Sequence, residues 1–321
     1  MPRELLILRH GKSDWNVSTD DYHRPLKKRG QRGAERIGAW LAEQQLIPDY
    51  VISSTATRAI NTAALCSKAM GLSNSDIQRE EILYLANIRT LLNTIQASPA
   101  KSKRVMIVGH NPGLEDLVLY LADRKIKIPN DGKLIPTATV AHFQLDVDWS
   151  KLSKGLAKLK QIQRASLLPP NFPSPTLDSK KKRKRPAYYY QQSSAIPYRV
   201  TADGLEIMII TSSGRKHWGI PKGVIEPELS PQESAAKEAY EEAGVEGIID
   251  KQFIGSYQYE KWGASCKVSV YPLAVKRVIQ QDEWKENHRE RRWVSVDEAM
   301  VYVKQNALVP ILKKLKKSFS D

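Results

Sequence analysis

Leu5-Leu6-Ile7-Leu8-Arg9-His10-Gly11 decides how the first half of the chain folds. Four consecutive aliphatics read as a short strand buried on both faces. The Arg-His-Gly that follows stands at the strand's C-terminal end, where open α/β sheets carry their sites. Two further segments repeat the arrangement. Val51-Ile52 leads into Ser54-Thr55-Ala56-Thr57-Arg58-Ala59, and a strand over 104–108 leads into Gly109-His110-Asn111-Pro112. Helical apolar spacing over 28–45 (Ala34, Ile37, Trp40, Leu41), helices over 56–70 and 113–122, and alternation over Thr139–Leu145 complete an α/β pattern.

The second half reads differently. Strand-like runs cover 195–200, 205–211, 253–259, 267–278 and 292–294, with one helix over 231–243 and another at the C-terminus, which predicts an α+β unit. Ser230-Pro231-Gln232-Glu233 is a helix start in which Ser caps, Pro takes the first helical position and Glu233 closes a capping box; Gly244 suits the stop. Within that helix Glu238, Glu241 and Glu242 fall at i, i+3 and i+4, on one face. Such crowding costs stability unless a cation neutralises it, and hard oxygen donors favour Mg²⁺ or Mn²⁺. Taken alone, the three glutamates favour a solvated acidic face.

The 321 residues suffice for two domains, and 41% apolar content supports real cores. The predicted boundaries are 1–168 for the first domain, 169–186 for a linker and 187–321 for the second. Pro169, Pro170, Pro173 and Pro175 precede a run of six cations at 180–185, so the linker is expected to be exposed. The basic run suits a plain linker, a nuclear import signal or a contact to nucleic acid or another polyanion. Most of the net charge of +15 falls in residues 1–170 and in that run, leaving the last domain near neutral. No apolar stretch is long enough to span a membrane. Met1-Pro2-Arg3-Glu4 carries no signal-peptide pattern, and Cys66 and Cys266 stand far apart, so a reduced, cytoplasmic protein is expected.

Phosphoryl transfer to an imidazole needs a neutral ring nitrogen and several cations for the phosphoryl oxygens. Arg9, His10, Arg58 and His110 supply that set. On these segments, together with Arg24-Pro25-Leu26, residues 3–168 resemble the histidine phosphatase superfamily, above all its SixA-type phosphohistidine phosphatases. The resemblance implies an α/β sandwich, His10 as phosphorylated nucleophile, and Arg9, Arg58 and His110 as phosphoryl ligands, with no cofactor. Glu80 and Glu81 are candidates for a leaving-group acid.

Pro221-Lys222-Gly223 followed by Lys237-Glu238-Ala239-Tyr240-Glu241-Glu242-Ala243-Gly244-Val245 resembles the Nudix box, and the resemblance covers about 187–316. It implies a metal-dependent diphosphate hydrolase in which Glu238, Glu241 and Glu242 bind Mg²⁺ or Mn²⁺ and Glu238 takes part in catalysis. Lys222 and Arg199 are candidate contacts to substrate phosphate, with Arg215, Lys216 and Lys261 as further ones. Trp218 and Tyr259 suit either base stacking or the core. Leu229 stands where the family pattern has Glu, and Lys237 where it has Arg; together they are expected to remove a supporting ion pair. The stretch 218–223 is most similar to hydrolases of dinucleoside polyphosphates and diphosphoinositol polyphosphates.

The combined reading is a bifunctional phosphohydrolase. One site would cut a diphosphate linkage in a small nucleotide or inositol polyphosphate metabolite. The other would hydrolyse a phosphomonoester, or a phosphohistidine on a partner protein. Two alternatives use the same residues: a nucleotide-sensing Nudix module that regulates the phosphatase, or RNA 5′-end processing with the basic linker on RNA.

Overall fold

The computed structural model describes residues 2–172, 183–226 and 229–319. They form two compact units, Met1–Pro173 and Ser174–Asp321.

In the first unit β1 (Arg3–Arg9), α1 (Lys28–Glu43), β2 (Tyr50–Ser54), α2 (Thr57–Met70), β3 (Ile77–Glu80), α3 (Ile88–Gln96), β4 (Arg104–Gly109), α4 (Gly113–Leu121), β5 (Thr139–Leu145) and β6 (Ala157–Arg164) follow in order. The sheet runs β3-β2-β4-β1-β5-β6; the first four strands are parallel, β5 pairs antiparallel with β1, and β6 pairs antiparallel with β5. Alternation along β1 explains the layering. Leu5 and Ile7 join Ile52, Val105, Ile107 and Phe143 in a core with Leu91 and Leu117 of α3 and α4. Leu6 and Leu8 face the other way, with Val51, Met106 and Val108, onto Ile37, Leu41 and Ala63 of α1 and α2. Both faces are covered at the centre of the sheet, so β1 and β4 carry continuous apolar runs. The central pair β1 and β4 is in register at Arg9↔Gly109, which brings the residues that follow each strand side by side.

The second unit holds β7 (Gln191–Thr201), β8 (Gly204–Thr211), β9 (Trp218–Gly219), β10 (Lys222–Val224), α5 (Pro231–Glu238), β11 (Val245–Ile249), β12 (Gly255–Lys261), β13 (Ala264–Val278), β14 (Arg291–Ser295), α6 (Val296–Tyr302) and α7 (Val309–Lys317). Its main path is β11-β13-β7-β8-β14, with β12 on β13, β10 on β7 and β9 on β8. One face packs Ile196, Ile207, Ile209 and Val268 onto Ala299 of α6 and Leu312 of α7. The other packs Ala195, Met208, Ile210 and Leu273 under Ala235 of α5 and under Ala239 and Ala243. Small residues at this contact let the helix lie close to the sheet.

Three expectations are corrected here. The helix expected over 231–243 stops being α-helical at Glu238 and widens into one π-helical turn, Ala239–Ala243, before Gly244 ends it at φ 61°. The linker is not exposed along its whole length, since Phe172 and Arg183 are both buried. Arg183 lies 5.2 Å from the Tyr190 ring, and Lys184 N–H donates to the Trp262 carbonyl at 2.9 Å. Residues 173–182, including the first three cations of the basic run, lie outside the described residues. Finally, the sequence pattern missed β3, α3, β6, β9, β10, β11 and α6.

Candidate active sites

In the first unit, the strand-end register brings His10 and His110 together, with ring centroids 5.1 Å apart. Gly11 follows His10 and packs so closely on Gly30 of α1 that a Cβ at Gly11 would lie 2.6 Å from the Gly30 carbonyl oxygen. Gly11 N–H donates to Thr62 Oγ1 (2.9 Å), and the Thr62 hydroxyl donates to the Arg58 carbonyl (2.6 Å), which ties the His10 loop to α2. His10 Nδ1 lies 2.7 Å from its own neighbour's carbonyl, Gly11 O. A carbonyl only accepts, so Nδ1 carries the proton and Nε2 keeps its lone pair. Burial, with smaller help from the charges of Arg58 and Arg9 and against the Gly11 hydrogen bond, pushes the His10 pKa down to about 4. The ring is therefore neutral at pH 7, as a nucleophile must be.

His110 is lowered further, to about 3, by burial and then by His10 and Arg58. Its Nε2 lies 3.0 Å from Ser54 Oγ, while Nδ1 is buried with no hydrogen-bond partner among the described residues. With the Ser54 hydroxyl donating to Nε2, Nδ1–H is left as a donor for a phosphoryl oxygen. Arg9 donates through Nη1 to the Ile135 carbonyl (2.8 Å), and its Nε is likewise buried with no partner among the described residues. Ile135 is itself held by Glu115. Glu115 Oε2 accepts from Ile135 N–H (3.2 Å) and from Asn111 Nδ2 (2.9 Å), and Asn111 also donates to Ile135 O at 3.2 Å.

Arg58 is buried and held by Asp21, donating through Nη2 to Asp21 Oδ2 (2.8 Å) and through Nη1 to the Asp21 carbonyl. Tyr84 OH donates to the same carboxylate oxygen at 2.8 Å, and its ring stacks edge-on against His110. Partial burial raises the Asp21 pKa, but the hydrogen bonds from Tyr84 and Arg58 and the Arg58 charge outweigh it, and the net shift is downward. Sequence reading missed Asp21, Tyr84 and Glu115; Asp21 alone left a trace, three residues before Arg24-Pro25-Leu26. Of the acid candidates, Glu80 ends β3 half-exposed beside Ser54, and Glu81 is exposed.

In the second unit, β10 pairs with β7 at Lys222↔Ser194, which sets Lys222 against the end of α5. Lys222 N–H donates to Glu242 Oε2 (2.9 Å). Lys222 Nζ donates to Tyr259 OH (3.1 Å), which donates onward to Gln192 Oε1 (2.8 Å). Gly223 leaves the room that the Glu238 carboxylate fills, because a Cβ there would lie 1.8 Å from Glu238 Oε1.

After the wide turn that follows Glu238, Glu241 and Glu242 reach different cations. Glu241 accepts from Lys285 Nζ (2.6 Å), and its carbonyl accepts from Trp284 Nε1 (3.0 Å). Glu242 accepts from Arg289, whose Nη1 also donates to the Thr211 carbonyl (2.9 Å). Glu238 makes no ion pair among the described residues. Burial, then Glu242 and Glu241, push its carboxyl up to about 7. Among the described residues no three acidic, His or Cys side chains already converge as a metal cage. The donor set is nonetheless all hard oxygen, and Glu238 is a buried carboxyl crowded by Glu242 and Glu241, which a cation would relieve.

The supporting ion pair expected to be lost is present in shifted form: Lys237 Nζ donates to Glu226 Oε1 at 2.7 Å, so Glu226 serves where Leu229 has no charge. Arg199 is not brought to this cluster. It sits farther along β7, paired with Glu206 (2.7 Å) and stacked 4.2 Å from the Trp293 ring centroid. Arg289 is a member that sequence reading missed.

Comparison with known proteins matches residues 5–83 to the histidine phosphatase superfamily (branch 1) and residues 193–318 to the NUDIX domain. Nudix hydrolase 13, mitochondrial, from Arabidopsis thaliana is 31% identical over 134 residues, 34% of this chain and 64% of the relative. An uncharacterised Mycobacterium tuberculosis protein, Rv1276c, is 31% identical over 157 residues, 47% of this chain and 96% of the relative. The solved structure of the protein histidine phosphatase SixA complexed with tungstate aligns at TM-score 0.44 and 20% identity, over 51% of this chain and 97% of that one. The chain spans a little under two thirds of the plant Nudix relatives it matches. It belongs to the histidine phosphatase superfamily through its first unit, an α/β sandwich, and carries a NUDIX domain of α+β architecture as its second.

Proposed function

We propose that the chain is a bifunctional phosphohydrolase whose second unit cuts a diphosphate linkage and whose first unit removes a terminal phosphoryl group through phospho-His10. The observation that carries the first activity is the His10 tautomer: Nδ1–H is spent on Gly11 O, and Nε2 faces a site with Arg9, Arg58 and His110. Nε2 attacks phosphorus, and the two guanidiniums and His110 Nδ1–H neutralise the phosphoryl oxygens. Asp21 stays ionised and holds Arg58, so it is a poor proton donor. That favours leaving groups that depart without a strong acid, as imidazole does from phosphohistidine. A phosphomonoester with a good leaving group fits the same site.

In the second unit Glu238, Glu241 and Glu242 would hold Mg²⁺ or Mn²⁺, which when bound polarises a diphosphate and makes water a better nucleophile. Lys222 binds a substrate phosphoryl oxygen, and Arg289 and Lys285 orient Glu242 and Glu241. The substrate is a diphosphate-linked or polyphosphorylated small metabolite of nucleotide or inositol type. The buried, unpaired thiols of Cys66 and Cys266 accord with a reducing compartment such as the cytoplasm. No helix among the described residues is long and apolar enough to cross a membrane.

Trapping tests the first activity. Brief exposure to a ³²P-labelled phosphate donor should leave an acid-labile label on the chain that His10→Ala abolishes. A label that persists in His10→Ala would overturn the assignment. For the second unit, Mg²⁺-dependent cleavage across dinucleoside polyphosphates, nucleotide sugars, nucleoside triphosphates and diphosphoinositols should vanish in Glu241→Gln.

A further inference from the structure

Beside the glutamate cluster, one face of the β12–β13 hairpin carries positive charge that the chemistry above does not use. Tyr259 and Lys261 are two residues apart on β12 and so project from the same face. Tyr259 OH receives Lys222 Nζ at the cluster. Across the hairpin Tyr259 pairs with Cys266 and Lys261 with Ala264, so Lys261 lies next along that face toward the turn. Toward the turn, Lys261 Nζ lies 4.3 Å from the Trp262 ring centroid. The Arg185 guanidinium carbon lies 5.8 Å from that ring and 5.0 Å from the Tyr189 ring. Gln192 joins the two ends. Its Oε1 accepts from Tyr259 OH, and its Nε2 donates to the Tyr189 carbonyl at 3.2 Å.

The cations around the glutamates are paired: Lys237 with Glu226, Lys285 with Glu241, Arg289 with Glu242. Lys261 and Arg185 meet no carboxylate among the described residues. They are instead held on aromatic faces, which orient a cation without neutralising it. Arg185 is kept there by the docked end of the interdomain segment, where its N–H donates to Tyr190 OH (3.3 Å) and Tyr190 OH donates to the Trp262 carbonyl (2.9 Å). The result is a line of charge leading away from Lys222. On the diphosphate-hydrolase reading the glutamates and Lys222 would hold two phosphoryl groups, and a longer phosphate chain would extend past them toward ammonium and guanidinium groups, which bind phosphoryl oxygens through charge-assisted hydrogen bonds.

We propose that Lys261 and Arg185, backed by the Trp262 ring, form a distal anion subsite that holds the phosphoryl groups of a polyphosphate chain beyond the bond that is cut. The proposal rests on the diphosphate-hydrolase reading of the second unit. The test compares diadenosine tetraphosphate with ADP-ribose, which share adenosine and differ in phosphate number, using the full chain with Mg²⁺. Lys261→Ala and Arg185→Ala should each raise the ratio of the two KM values, tetraphosphate over ADP-ribose, roughly tenfold, and Lys261→Arg should restore it. An unmoved ratio, with Glu241-dependent hydrolysis intact, overturns the subsite and leaves the hydrolase reading standing. If neither substrate is cleaved in a Glu241-dependent way, the hydrolase reading fails, and calorimetry with inorganic tripolyphosphate decides the subsite alone. Weaker binding by Lys261→Ala, restored in Lys261→Arg, supports it; equal binding by wild type and Lys261→Ala overturns it.

Discussion

His10 owes its reactive form to burial and to one backbone carbonyl. Because its folded pKa of about 4 lies below the ordinary 6.5, the neutral ring favours the folded state. That contribution is complete above about pH 6.5 and is lost as pH falls toward 4. An NMR titration of the imidazole signals, assigned with His10→Ala, should place the His10 midpoint near 4; a midpoint near 6.5 would mean an exposed ring. Glu115 acts one step further out, through Ile135 O on Arg9. Glu115→Gln keeps the shape but weakens an anionic acceptor, so KM for a His10-dependent substrate such as p-nitrophenyl phosphate should rise about threefold to tenfold with a smaller change in kcat. These couplings were out of reach of the sequence, because Asp21 meets Arg58 and Tyr84, and Glu115 meets Ile135, only once segments distant in sequence come together. His10 and His110 were legible because each directly follows a strand end, and Arg58 because it lies in the first turn of the helix after β2.

The α5 segment shows what local pattern can and cannot carry. Its start was legible to the residue: Ser230 Oγ accepts from Glu233 N–H (3.2 Å), and Glu233 Oε2 accepts from Ser230 N–H (2.7 Å). Ser230→Ala should therefore destabilise the second unit by about 1 kcal/mol, measured by denaturant unfolding. The π-helical turn was not legible, since the i, i+3, i+4 spacing of Glu238, Glu241 and Glu242 assumes an unbroken α-helix. Nor was the Lys237–Glu226 pair, which closes across a loop whose geometry the spacing does not set. Strand β3 escaped because only Ile77 of its four residues is buried. The contact of β10 with α5 yields a sharp expectation. Gly223→Ala places a methyl group where Glu238 Oε1 lies, so Mg²⁺-dependent turnover should fall at least tenfold while the first unit's phosphatase activity persists. Unchanged turnover would show that Glu238 has room to move at no cost.

At the scale of the whole molecule, each unit has its own core and its own site. The two activities should accordingly separate by mutation, with His10→Ala sparing diphosphate cleavage and Glu241→Gln sparing phosphatase turnover. Their presence in one chain motivates the stronger claim that the product of the second unit is a substrate of the first. The most direct test follows both steps at once, by ³¹P NMR of the full chain with Mg²⁺ and the diphosphate substrate found in the survey above. Wild type should release inorganic phosphate after a transient phosphorylated product, His10→Ala should accumulate that product without releasing phosphate, and Glu241→Gln should leave the substrate intact. Phosphate released at the wild-type rate by His10→Ala, or diphosphate cleavage that survives Glu241→Gln, would contradict the account.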